Sequence, residues 1–191
     1  MNGSEEQPIG ELELQLKKAV PELFRAAKQC RVLPPPMLRG LSLVKLVAWY
    51  ETNLANRDLF DPRGHQVVFD LSRFPYLIKL CGINGEKLAK PLQDAEKIRC
   101  GDRTEKHYGT YDSFRAETLS WLPVLVESPL SIQKNVSFNI PADEVYVRRF
   151  QTKHFKYKVL YCQRMGEQLL VPVTSFRQHH QPKGEIIWPP K

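Results

Sequence analysis

The chain lacks the short motifs by which many enzymes can be read from sequence. No GxxxxGK[ST], GxGxxG or GxSxG occurs in its 191 residues, which removes the usual support for P-loop, dinucleotide-cofactor and serine-hydrolase chemistry. Cys30, Cys81, Cys100 and Cys162 form no CxxC pair. They read as buried thiols in a reducing compartment rather than as a disulfide framework. His65, His107, His154, His179 and His180 show no HExxH spacing, so neither a metal nor a cofactor is expected. No apolar run approaches the roughly 18 residues of a membrane span. The start of the chain, with Glu5 and Glu6 and no apolar core, is unlike a signal peptide. A cytoplasmic protein without a membrane partner is the expectation.

Acidic residues are also in short supply. Against 28 Lys and Arg stand 21 Asp and Glu, a net charge of +7, which favours an anionic partner such as nucleic acid. The excess gathers near the C-terminus. Between Glu144 and Gln178, aromatic and β-branched residues alternate with Arg148, Arg149, Lys153, Lys156, Lys158, Arg164 and Arg177, opposed by Glu144 and Glu167. Val145–Phe150, Lys156–Arg164 and Gln168–Phe176 read as three strands, the last two joined at Met165, Gly166 and Glu167. One apolar and one basic face is a pattern suited to an anionic polymer.

The remainder is mostly helical in pattern. Ile9, Leu12, Leu16, Val20, Leu23, Phe24 and Ala27 recur at helical spacing, interrupted by Pro21. Pro34, Pro35 and Pro36 end that segment, and a second helix is expected from Ser42, as N-cap, to Leu54. A short strand follows at Gln66–Asp70, then a helix capped by Ser72 and running to Gly82. Further helical segments are Leu88–Ile98 and Phe114–Glu127, the latter bent at Pro123. Helices first and strands last imply an α+β domain, with N-terminal helices packed on a small, mostly antiparallel C-terminal sheet of about four strands. The divisions expected are a helical extension over 1–60, a domain over 61–178 and a loose proline-rich tail over 179–191.

A basic sheet with no paired acids for magnesium suits metal-independent RNA cleavage. A base takes the proton of the 2′-hydroxyl, cations stabilise the charge growing on phosphorus, and an acid protonates the leaving oxygen. His154 is the candidate base, because imidazole titrates near neutrality. Lys158 and Arg164 are candidates to hold the phosphate, and Arg148 shares their basic stretch. Thr174 and Ser175 are adjacent on a strand, so they point to opposite faces. Lys79, Arg99, His107 and Arg115 are weaker candidates.

Residues 64 to 178 resemble the phage and mobile-element nucleases of the barnase, EndoU, colicin tRNase and RelE fold group. The likeness rests on the strand and helix of His65–Leu80, the helix running through Trp121, Leu122 and Pro123 to Pro129, and the hairpin ending in Val173, Thr174, Ser175 and Phe176. The resemblance implies a metal-independent endoribonuclease, toxin-like or mobile-element associated, with RNA as substrate and an antitoxin or immunity protein as partner. It assigns a catalytic place to Thr174. Many members carry a histidine at the start of the first helix, where this chain reads Ser72, Arg73, Phe74, Pro75. Arg73 stands there as a phosphate contact, but a guanidinium with a pKa above roughly 12 is no general base. That departure keeps open a catalytically inactive nucleic-acid-binding or protein-interaction module on the same fold.

Overall fold

A computed structural model describes residues 35–150 and 155–189. Contacts divide the chain into two units, residues 1–34 and 35–191, and every described residue belongs to the second. The helical pattern of Ile9–Ala27 and the candidate base His154 lie outside the described residues.

The first described helix, α1 (Leu43–Tyr50), starts as its residue types require. Ser42 accepts a hydrogen bond from Lys45 N at 3.4 Å, and Glu105 Oε1 takes the otherwise orphaned Leu43 N–H at 2.6 Å. Leu43, Leu46, Val47 and Tyr50 form its buried side. The π-turn Glu51–Ala55 extends it. After β1 (Gln66–Val67) the backbone is capped by Asp70, whose Oδ1 accepts from Ser72 N at 2.8 Å, so Asp70 rather than Ser72 opens the turn into α2 (Phe74–Leu77). α3 (Pro91–Arg99) begins on a proline, where a missing N–H costs nothing. The segment expected as one bent helix divides in two. α4 (Ser113–Glu117) is capped by Asp112, and α5 (Leu122–Glu127) carries Pro123 in its first turn, with a 3-10 turn at Leu119–Trp121 between them.

The sheet has six strands rather than about four. β2 (Ser131–Lys134), β3 (Glu144–Arg149), β4 (Tyr157–Arg164), β5 (Leu169–Gln178) and β6 (Ile186–Trp188) join β1 in the order β1-β5-β4-β3-β2-β6. β1 runs parallel to β5, and every other neighbouring pair is antiparallel. Both outer strands are short and weakly patterned. β6 comes from the segment expected to be a loose tail, and pairs there with β2 at Ile132 and Gln133.

Strand alternation separates two apolar clusters. Ile132, Tyr146, Leu160, Cys162 and Leu170 join α1, α2, α3 and α5 in the main core. Val145, Val147, Val159 and Tyr161 form the other cluster, with Tyr157 and Phe176 beside them. α1 is thus part of the core that backs the sheet, although the sequence pattern groups it with an extension. Among the described residues no helix is long and apolar enough to cross a membrane.

β5 carries an irregularity that changes which side chains share a face. Pro172 has no N–H to give the ladder, and the β4–β5 register shifts there: Cys162 faces Pro172, whereas the adjacent Tyr161 faces Thr174. The extra residue, Val173, reverses which side chains face the helices. Leu170 lies on that face before the bulge, Ser175 and Arg177 after it.

Candidate nucleic-acid interface

The bulge sets Arg177 directly opposite Lys158, and Lys158 is directly opposite Arg148 on β3. Three cations therefore occupy one cross-strand row on the helix-facing side, an arrangement that is repulsive between near neighbours. Arg149 and Lys156, both exposed, lie at the same end of the sheet. None of these five cations forms an ion pair among the described residues.

Each member of the row is held differently. Arg148 donates to Ser128 O, just beyond α5, and burial lowers its pKa. Lys158 is 1% exposed. Its Nζ donates to Thr118 Oγ1 at 2.9 Å, and Thr118 passes its own hydroxyl hydrogen to Phe114 O at 2.7 Å. Burial foremost, then the charge of Arg115, brings the Lys158 ammonium down to about 7. Arg177 places its guanidinium 3.7 Å from the Phe114 ring centroid and 4.0 Å from that of Phe155, so both aromatic rings hold it by cation–π contact.

Arg115 of α4 completes the cluster. β1 pairs only with Leu169 and Leu170, which leaves the later part of β5 as a sheet edge. Arg115 reaches that edge and donates from an Nη to Thr174 Oγ1 at 3.0 Å, with its guanidinium 5.5 Å from the Phe176 ring. Its nearest carboxylate is Asp112 Oδ2, 3.4 Å from Nε. Burial lowers the Arg115 pKa as well. Arg115, Thr174 and Arg177 are partly exposed, so they are the groups of the cluster that a phosphate can touch. In its protonated form Lys158 adds positive potential beneath Arg177.

The other end of the same strands is neutralised. Arg63 bridges Asp61 Oδ2 at 2.6 Å and Glu144 Oε2 at 2.5 Å, while Tyr146 donates to Asp61 at 2.7 Å. Burial would raise the Asp61 carboxyl, but bonds from Arg63, Tyr146 and His65 take it below its usual value. Arg164 joins this network through Glu144 and donates to Glu167 O at 2.6 Å. It lies six positions along β4 from Lys158, roughly 20 Å at the usual strand rise.

The sequence-derived candidates thus separate. Lys158 and Thr174 belong to the cluster, linked through Arg115, and Arg148 belongs to the row. Arg164 is committed to the opposite end. Arg73 sits on the turn before α2 with Nε 3.5 Å from Asp70 Oδ2. Ser175 is 2% exposed and donates to Val159 O at 2.7 Å, so its hydroxyl is spent internally. Thr118 and Arg177 carry no motif that marks them as site residues, and Arg115 ranks low in the sequence for the same reason. The signals that point to Arg115 are its i, i+3 relation to the N-cap Asp112 and its neighbour Phe114. Among the described residues no three His, Cys, Asp or Glu side chains gather to hold a metal. No family model, curated protein or solved structure matches the chain.

Proposed function

We propose that this end of the sheet binds the RNA backbone and cleaves it without a metal. The observation that carries the reading is the row Arg148, Lys158 and Arg177, like charges in register on adjacent strands. Such a row costs folding free energy, and an anion over it relieves that cost. A phosphodiester fits, because Arg115 and Arg177 present planar donors, and Thr174, on the other face of the β5 edge, holds Arg115 there through its hydroxyl.

In this reading Arg115 and Arg177 contact the non-bridging oxygens, and Lys158, when protonated, raises the local potential without touching substrate. His154 serves as base and removes the 2′-hydroxyl proton. The 2′-oxygen then bonds to phosphorus, the bond from phosphorus to the 5′-oxygen breaks, and that oxygen takes up a proton from solvent, to which His154 returns the one it removed. The products are a 2′,3′-cyclic phosphate and a free 5′-hydroxyl, with no water consumed. The likeness to the barnase, EndoU, colicin tRNase and RelE group supports the same chemistry.

Incubating the protein with mixed-sequence RNA in EDTA tests this. Cleavage that leaves cyclic phosphate ends, fails at a 2′-deoxy nucleotide and is lost in His154→Ala is the expected result. Cleavage that requires added magnesium, or that proceeds equally at 2′-deoxy positions, overturns it. A second reading, binding without cleavage, is favoured by Arg73, beside Asp70, standing at the helix start where many members of that group carry a histidine. It is distinguished by salt-sensitive binding with no strand scission.

A further inference from the structure

Five planar groups gather at the end of β5, the outermost being His180, tilted by 47° to His179 with centroids 6.4 Å apart. Arg177 lies between 3.7 and 4.0 Å from the Phe114 and Phe155 centroids, and the His179 imidazole stacks on Phe155 with centroids 4.6 Å apart and planes tilted by 32°. Phe114 is in turn anchored edge-on to Phe150 at 5.5 Å, and Phe150 to Trp121 at 4.6 Å. The anchoring runs into the main core. His179 and His180 are the exposed members of the group, and His179 is the one stacked on Phe155.

An exposed ring fixed on a supported aromatic has little freedom left to lose. A second planar group can therefore stack on it at low entropic cost. The position is two residues beyond Arg177, at the margin of the cationic row. We propose that His179 is a stacking platform for one unpaired nucleobase of a strand whose phosphate lies on Arg115 and Arg177, which makes single-stranded RNA the preferred ligand. A base within a duplex has both faces covered by its neighbours and has no face to offer. This proposal rests on the RNA-binding reading and adds a base-dependent contact to its backbone contacts.

The test separates the two. Affinity is measured for three short 2′-O-methylated probes, which resist cleavage: oligouridine, the same backbone with abasic residues, and a duplex of equal length. The abasic probe reads backbone binding alone, and the gain of oligouridine over it reads stacking. The expected gain is on the order of tenfold. His179→Ala should lose it with abasic affinity unchanged, and His179→Phe, which keeps a ring without the proton, should restore it. Equal binding of base-bearing and abasic probes overturns the stacking proposal while leaving backbone binding intact. So does a full gain in His179→Ala, or a duplex that binds better than the single strand. Failure to bind any probe overturns both readings.

Discussion

Arg177 stands directly across from Lys158 on the neighbouring antiparallel strand, and neither has a carboxylate partner in ion-pair reach among the described residues. At the opposite end of the same strands, Arg63 and Arg164 are both tied to Glu144. The sheet is thus neutralised at one end and left positive at the other, and each end has measurable consequences.

Lys158 makes stability depend on pH. Its folded value of about 7 lies below the 10.5 of an ordinary lysine, so between those limits the unfolded chain holds a proton that the folded one does not. Stability therefore rises with pH from about 7 to 10.5, and below that window the full penalty is present. Lys158→Met lacks the term. In denaturant titrations the wild type should gain on this variant by on the order of a few kcal/mol across the window. A constant difference would show that Lys158 is not depressed.

Thr118 supplies the hydrogen-bond acceptor for the Lys158 ammonium. Thr118→Val keeps the shape and removes the acceptor. It should destabilise the fold by about 1–3 kcal/mol at neutral pH, and by less near pH 10, where a neutral amine tolerates burial better. Urea unfolding at the two pH values reads both effects.

Arg63 is the test at the neutral end. Removing it in Arg63→Ala leaves Asp61 and Glu144, 4% and 3% exposed, without their shared cation. The cost should be about 3–5 kcal/mol, measured by thermal or chemical unfolding, with RNA affinity unchanged at temperatures where the variant remains folded. A loss of RNA affinity there would place the binding surface at the wrong end.

The strands carrying Arg148, Lys158 and Arg177 are legible in the sequence, because β-branched and aromatic alternation marks them locally. The faces are less so. Simple alternation along β5 groups Thr174 with Leu170, and the bulge at Pro172 breaks that parity, exchanging Thr174 for Ser175 and Arg177 on the helix side. A proline in the strand is the available sign. Burial of Lys158 is hidden for a related reason: a lysine among alternating residues reads as the wet face unless the helix above it is known to bring Thr118. The sequence pattern makes β1 too long and hides β6 in the tail, because strands of 2 and 3 residues carry almost no period. The ion pair of Arg164 depends on Glu144, and its backbone N–H is taken by Asp143, partners distant along the chain, a relation that no local pattern encodes.

The central claim is that the row Arg148, Lys158 and Arg177, with Arg115 beside it, is a phosphate-binding surface. The most direct measurement is the affinity for a single-stranded RNA over a series of potassium chloride concentrations, for the wild type and for Arg115→Ala/Arg177→Ala. Affinity should fall linearly on logarithmic axes, and the double variant should bind more weakly with a slope shallower by about 1.4, near 0.7 for each phosphate contact removed. A wild-type affinity indifferent to salt, or a double variant with the wild-type slope, would contradict that claim.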